Sequence, residues 1–203
     1  MIGIINTNFG NINAIKNIYF DEGIDCKSVS NINEIDNVSK LIIPGIGNFD
    51  NVIENLKDHN LFNSINHLVT KQKIPILGIC IGMHLFFESS EEGEFKGFGW
   101  IKGRVKKLNN TDMRYPHMGW NNTLNTNNNS LFKDIKDGSY FYFLHSYGNQ
   151  LINNEYYFCS STMYGDNFLS SINYKNIYGV QFHPEKSHQN GIKLLTNFAK
   201  YCA

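Results

Sequence analysis

One stretch narrows the fold more than any other: Ile74-Pro75-Ile76-Leu77-Gly78-Ile79-Cys80-Ile81-Gly82-Met83-His84-Leu85-Phe86-Phe87. An apolar run of strand length reaches Gly78, passes through a cysteine set between two glycines, and continues with Met83, Phe86 and Phe87 at helical spacing. The pattern predicts strand, sharp turn, helix. Gly78-x-Cys80-x-Gly82 has the form of a nucleophile elbow, where flanking glycines let the backbone bend tightly and leave the central side chain exposed above a sheet. A thiol suits that place, because the unpaired N–H groups and dipole of a helix N-terminus stabilise a thiolate. A cysteine in an apolar run is equally what core packing produces, so the choice rests on the rest of the chain.

Upstream, Met1 to Ile5 reads as a buried strand, and Ile12, Ile15, Ile18 and Tyr19 recur at helical spacing up to Gly23. Asp25 to Val29 is a weaker strand candidate and Lys40 to Ile43 a stronger one, closed by Pro44-Gly45-Ile46-Gly47. From Asn48 to Gln72, the spacing of Val52, Ile53, Leu56, Leu61, Phe62, Ile65, Leu68 and Val69 gives one or two helices. Strands alternating with helices predict an α/β fold: a mostly parallel sheet covered on both faces, with functional groups at the strands' carboxyl ends.

After Glu88 short apolar and aromatic segments alternate with Gly, Asn and Asp, which favours antiparallel strands. The candidates are Gly99 to Leu108, His117 to Leu124, Tyr140 to His145, Tyr156 to Met163, Phe168 to Tyr174 and Ile177 to Phe182. Asn125 to Ser130 is a polar loop, and Ile192, Leu195, Phe198 and Ala199 mark a closing helix over Gly191 to Tyr201.

Composition excludes several function classes. With 203 residues and no linker-like run, one domain spanning 1–203 is expected. The 18 acidic residues balance the 18 basic ones, so there is no field to hold nucleic acid or an anionic membrane. Cys26, Cys80, Cys159 and Cys202 lack paired metal-type spacing; neither a disulfide framework nor a metal site is expected, and the reduced cytoplasm is the natural compartment. Met1 to Asn6 lacks the basic region and apolar core of a signal, and no apolar run reaches the ~18 residues of a membrane span.

Tyr178-Gly179-Val180-Gln181-Phe182-His183-Pro184-Glu185-Lys186-Ser187 supplies the complement to Cys80. In extended chain residues i and i+2 project to one side, so Glu185 can flank His183, and Pro184 disfavours helix there. The chemical reading is a triad in which Cys80 is nucleophile, His183 general base and acid, and Glu185 the group that orients the imidazole. A surface ion pair is the competing reading. Gly45-Ile46-Gly47 is either a plain tight turn or, beside Cys80, a source of backbone N–H groups from Ile46 or Gly47 that joins the N–H of Ile81 in an oxyanion hole. Residues alone lead to cysteine-dependent acyl transfer and do not name the acyl group.

Ile42-Ile43-Pro44-Gly45-Ile46-Gly47-Asn48-Phe49, Pro116-His117-Met118-Gly119-Trp120-Asn121, Phe143-Leu144-His145-Ser146-Tyr147 and Gly179 to Ser187 together resemble the triad (class I) glutamine amidotransferases, and within them the glutaminase subunits of imidazole glycerol phosphate synthase. The resemblance runs essentially end to end. It implies a flavodoxin-like class I amidotransferase fold and hydrolysis of L-glutamine through a glutamyl thioester on Cys80. The ammonia would pass to a (βα)8-barrel cyclase subunit that makes imidazole glycerol phosphate and aminoimidazole carboxamide ribonucleotide in histidine biosynthesis, and no cofactor is required. It also implies that Gly47, His84, His145, Ser146 and Tyr147 lie near the glutamine, and that Lys186, Tyr142 and Trp120 lie near the partner; Trp120 and Tyr142 read equally well as core aromatics.

Two departures stand out. His84 occupies a place where the family usually has glutamine, either replacing it as a hydrogen-bond donor or altering substrate binding, and Asn6-Thr7 stands where an Asp-Tyr pair is usual. These departures keep open a paralogous glutaminase that feeds a sugar-amidating synthetase of surface polysaccharide formation, and the first of them an inactive scaffold subunit.

Overall fold

The computed structural model describes residues 1–6, 10–108, 112–126, 129–152 and 155–202. The first strand, β1 (Ile2–Ile5), is followed by α1 (Ile12–Asp21), whose start is fixed by Asn11 accepting from the Ala14 N–H, then by β2 (Cys26–Val29) and β3 (Lys40–Ile43). The helical stretch after the Pro-Gly segment is two helices, α2 (Phe49–Asp58) and α3 (Leu61–Thr70). Asn48 caps the first through the N–H groups of Asp50 and Asn51, and Asn60, at φ 57°, breaks the second from it. Then come β4 (Ile76–Ile79) and the one-turn α4 (Ile81–His84).

The second half contains β5 (Ser89–Ser90), β6 (Arg104–Lys107), β7 (His117–Asn122), β8 (Tyr140–His145), β9 (Tyr147–Gly148), β10 (Phe158–Tyr164), β11 (Asp166–Tyr174), β12 (Ile177–Val180) and α5 (His188–Tyr201). Seven strands form the central sheet in the order β10-β11-β12-β4-β3-β1-β2. The five from β12 to β2 are parallel, and β10 and β11 extend the sheet antiparallel. β7 and β8 form a separate hairpin.

Strand alternation divides the interior into two cores. Ile5, Leu41, Ile43 and Ile76 pack with Val52, Ile53 and Leu56 of α2 and Leu61, Ile65 and Val69 of α3. Ile4, Ile42, Leu77, Ile79 and Val180 face the other way, onto Ile15 and Tyr19 of α1 and Leu194, Leu195 and Phe198 of α5. The expected α/β sheet covered on both faces is therefore present.

Three expectations need correction. The helix after Cys80 was to carry Met83, Phe86 and Phe87, yet it ends at His84. The carbonyls of Leu85, Phe86, Phe87 and Glu88 accept from Phe98, Ile101, Gly99 and Gly97, so they serve a neighbouring loop instead of a further helical turn. The strand expected over Gly99 to Leu108 is confined to Arg104–Lys107, because Gly99 (φ 66°) and Gly103 (φ 123°) turn the chain out of extended geometry. β12, placed among the antiparallel candidates, pairs antiparallel with β11 but parallel with β4, through Ile177↔Ile76 to Val180↔Ile79. The loop expected over Asn125 to Ser130 lies partly outside the described residues, as does Thr7.

Two glycines let α4 sit on the sheet. A Cβ on Gly82 would lie 2.1 Å from the Ile43 carbonyl oxygen, and one on Gly78 would meet the Gly82 backbone at 2.6 Å. Both obstacles are backbone and cannot rotate away. Gly82→Ala is expected to lower stability by about 1–3 kcal/mol, read as a lower denaturant midpoint; an unchanged midpoint would show that α4 does not depend on this close approach.

Candidate active site

Three neighbouring parallel strands deliver the chemistry. β3, β4 and β12 are adjacent, so the segments leaving their carboxyl ends, Pro44 to Gly47, Cys80 and Gln181 to Glu185, meet at one rim. The Cys80 N–H donates to the Val180 carbonyl at 2.7 Å, extending the β4–β12 ladder by one residue into the elbow. Cys80 itself adopts φ 52°, ψ −110°, a conformation that a side chain rarely takes and that marks the sharp turn.

The Cys80 sulfur and the His183 imidazole face each other across one cavity wall, close enough to interact electrostatically. On the far side of the ring, His183 Nδ1 lies 2.8 Å from Glu185 Oε1, and both side chains are buried. Burial pushes the His183 pKa down, but the charge and hydrogen bond of Cys80, then the hydrogen bond and charge of Glu185, outweigh it and raise it to about 10. The raised pKa favours the imidazolium form of His183, between Cys80 on one side and Glu185 on the other. A helix of one turn has little macrodipole to offer Cys80, so the positive group beside the sulfur is His183 and the contribution of α4 is its free N–H groups.

Glu185 reaches His183 by a different route from the extended chain expected. His183 is extended (φ −102°, ψ 94°), but Pro184–Lys186 form a 3-10 turn with Pro184 at its first position, and this turn brings the carboxylate back to the ring. Ser187 locks the turn in place: its hydroxyl donates to the His183 carbonyl at 2.6 Å and accepts from the Tyr142 N–H at 3.0 Å. The His183 N–H in turn donates to the Tyr142 carbonyl at 2.8 Å, so β8 and the histidine segment are stitched together.

Gly45, Ile46, Gly47, Cys80, Ile81, His84, Glu92, Leu144, His145, Ser146, Tyr147 and His183 line one cavity. Every residue expected near the glutamine or in an oxyanion hole is among them. Gly47 has φ 131°, open only to glycine, and a Cβ on Gly45 would strike Ile81 Cγ2 at 2.0 Å and the Gly82 nitrogen at 2.7 Å. The Pro-Gly loop thus lies directly on the first turn of α4.

His145 is tied inside the protein by both ring nitrogens. Its Nδ1–H donates to the Tyr147 carbonyl at 2.8 Å, and its Nε2 accepts from His117 Nδ1 at 3.0 Å. Burial drives the His145 pKa well down, partly opposed by the Tyr147 carbonyl, and burial lowers His117 to about 4, so the pair is neutral and the donors run one way. His145 meets the cavity as a ring wall that fixes the backbone at Tyr147.

Lys186, Tyr142 and Trp120 lie together outside the cavity. The Lys186 ammonium sits 5.7 Å from the Tyr142 ring, Trp120 meets Tyr142 edge-on at 6.1 Å, and Trp120 stacks on His188 at 5.1 Å. Trp120 is 45% exposed and is not a core aromatic. Tyr140, Tyr142, Leu144, Met118 and Trp120 share the outward face of the β7–β8 hairpin, while Phe141, Phe143, His145 and His117 turn inward.

Two residues of the site carried no role in the sequence reading. Glu92 lies in an acidic turn that looks like solvated surface, yet its Oε2 is buried without a partner, and burial raises its pKa against a backbone hydrogen bond at Phe49. Gln181 is fully buried, with Nε2 3.6 Å from Cys80 Sγ and Oε1 2.7 Å from His84 Nε2. Its signal was available: a glutamine at the end of an apolar strand, two residues before the histidine and so on the same side. Among the described residues no cluster of His, Cys, Asp and Glu is arranged to hold a metal ion, and no helix is long and apolar enough to cross a membrane.

A buried sulfur, imidazole and carboxylate gathered at the rim of this sheet are the groups that cysteine acyl transfer uses, and comparison with known proteins gives the class. The family "Glutamine amidotransferase class-I" matches residues 8–202. A solved structure described as a glutamine amidotransferase superposes with TM-score 0.76 at 16% identity, covering 97% of this chain and 96% of the other, which speaks to the fold. Imidazole glycerol phosphate synthase subunit HisH of Leptospira interrogans is 40% identical over 98% of this chain and 99% of its own. Subunit HisH 2 of Methanococcus maripaludis is 42% identical over 98% and 99%. The chain belongs to the class I glutamine amidotransferases and, within them, to the HisH family of glutaminase subunits of imidazole glycerol phosphate synthase, an enzyme of histidine biosynthesis.

Ser187 ties the His183 turn to β8 through one hydroxyl. Ser187→Ala strands the Tyr142 N–H and leaves the His183 carbonyl with the Lys186 N–H alone, so it should cost about 1–3 kcal/mol of stability and lower kcat more than it raises KM, measured by denaturation and steady-state kinetics. Wild-type values for both would show that the turn is held without the hydroxyl.

Proposed function

We propose that this chain hydrolyses L-glutamine with Cys80 as nucleophile, His183 as acid and base and Glu185 as the group orienting His183. The single observation that supports it most is the juxtaposition of Cys80 and His183 on one cavity wall, with Glu185 2.8 Å behind the His183 ring. The Cys80 thiolate attacks the side-chain amide carbon, and the negative charge moves to the carbonyl oxygen. Backbone N–H groups from Ile81 and from Ile46 or Gly47 bind that oxyanion. The His183 imidazolium gives its proton to the nitrogen as the C–N bond breaks, releasing ammonia and leaving a glutamyl thioester. Water, deprotonated by His183, then cleaves the thioester to glutamate and restores the thiolate and imidazolium.

The cavity suits an amino acid substrate. Glu92 presents an unpartnered buried carboxylate oxygen fitted to an α-ammonium, and Gly47, His84, Ser146 and Tyr147 complete the wall, with His145 holding the Tyr147 backbone.

Ammonia set free in neutral water is mostly protonated and no longer nucleophilic, so a sealed route to an acceptor preserves its reactivity. We infer that the partner is a (βα)8-barrel cyclase seated over the exposed aromatic face of β7 and β8, with Trp120, Tyr142 and Lys186 in the contact, in the cytoplasm. The names of the relatives favour this acceptor over a sugar-amidating synthetase. Asn6, which helped raise that alternative, donates to Ser30 at the end of β1 and does not line the cavity.

Cys80→Ser should reduce glutamine hydrolysis by at least about 10³-fold, and a glutamine-analogue electrophile should label Cys80 in the wild type, read by peptide mass. Retained activity in the variant or labelling at another cysteine would refute the mechanism. With a matching cyclase, Trp120→Ala should weaken association by about 5–30-fold by calorimetry, and adding the cyclase's ligand should raise hydrolysis. Unaltered affinity would move the contact off this face.

A further inference from the structure

We propose that the Gln181 side-chain amide, oriented by His84, is a further catalytic contact to the Cys80 sulfur: Nε2–H of Gln181 donates to Sγ, and Nε2–H of His84 fixes which end of the amide the sulfur sees. The inference deepens the reading of Cys80 as nucleophile and rests on it.

The geometry is a chain of three buried side chains. Gln181 Nε2 lies 3.6 Å from Cys80 Sγ and Gln181 Oε1 lies 2.7 Å from His84 Nε2. An amide has a donor end and an acceptor end, and a thiolate only accepts. The donor end must face the sulfur, which leaves the oxygen for His84. That oxygen accepts only, so His84 must carry its proton on Nε2.

The histidine independently agrees. Burial lowers its pKa to about 4, so it is neutral and has a single N–H. His84 Nδ1 is buried without a hydrogen-bond partner. With the proton on Nε2, the orphan is a bare acceptor. With the proton on Nδ1, the orphan would be a buried N–H, which native structures tolerate less, and the amide would have to turn its oxygen toward the sulfur. Both costs oppose the second arrangement.

The other groups around the sulfur do not supply this contact. From the β12 side His183 holds it as a cation, with Glu185 behind. From β8 come the Leu144 carbonyl, 3.8 Å from Sγ and unable to donate, and His145, whose nitrogens are engaged with His117 and Tyr147. Glu92, on the cavity wall, is an acceptor. Gln181 is thus the neutral donor that shares the thiolate with His183 before attack and after the thioester is cleaved, and His84 is its positioning residue.

The test reads Cys80 ionisation directly. Full-length protein is alkylated with iodoacetamide across a pH series and the Cys80 peptide is quantified by mass, so Cys26, Cys159 and Cys202 do not enter. Gln181→Leu should move the profile up by about one pH unit, an about tenfold slower reaction below the midpoint. Gln181→Glu, nearly isosteric, should move it further by placing an acceptor against the sulfur, and it carries the test if the leucine variant fails to fold. His84→Leu should shift the profile in the same direction, and His84→Gln should restore it, because a glutamine at 84 can also donate to Gln181 Oε1. A Gln181→Glu profile superimposed on wild type, or His84→Gln matching His84→Leu, would overturn the proposal. A wrong nucleophile shows separately, as hydrolysis that survives Cys80→Ser.

Discussion

The pairing of β4 with β12 is the constraint on which the site depends. The two strands run parallel with Ile79 opposite Val180, and the next link is the Cys80 N–H on the Val180 carbonyl. Parallel strands in register end at the same rim, so a cysteine one residue past β4 and a histidine three residues past β12 arrive side by side although far apart in sequence. A slip of one residue would send each side chain to the opposite face. Two hydrophobic cores, one on each face, make that slip expensive.

Stability is spent locally to hold this rim. Cys80 takes a backbone conformation that disfavours a side chain, and Gly45, Gly78 and Gly82 give up side chains so that α4 and the Pro-Gly loop can close on the sheet. His183 and Glu185 are buried charges, tolerable because each has the other and His183 has the sulfur as well. Ser187 and the Tyr142 backbone then remove the turn's remaining freedom. The outward aromatic face of the hairpin begins on the same strand that fixes His183, so a partner seated there would press on the backbone beside that imidazole.

Much of this was legible in the residues. Apolar runs gave β1, β3 and β4, the Gly-Cys-Gly spacing gave the elbow, and His183-x-Glu185 gave the buried imidazole–carboxylate pair. What the residues could not give was set by long-range competition. The helix after the elbow stops at His84 because Phe98, Gly99 and Ile101 claim the next carbonyls, a fact of loop packing that helical periodicity cannot register. β12 looks like its antiparallel neighbours because four apolar residues read alike in either sheet direction. Glu92 is hidden because an acid in an acidic turn resembles solvated surface, and Gln181 because its partners, Cys80 and His84, come from a segment about a hundred residues away. His84, expected to serve as donor or to alter substrate binding, has its Nε2 on Gln181 at 2.7 Å and its Nδ1 buried without a partner.

The central claim is that the sulfur of Cys80 and the imidazole of His183 share a proton. Titration of isotopically labelled His183 by NMR tests it most directly, in the wild type and in Cys80→Ser. Since its negative partners raise the folded-state pKa, the cation should persist far above the ordinary midpoint near 6.5, toward about 10, and the midpoint should fall when the sulfur is replaced. A histidine that titrates at its ordinary value, or at the same pH in both proteins, would mean that the two groups do not form the pair on which this enzyme's chemistry is built.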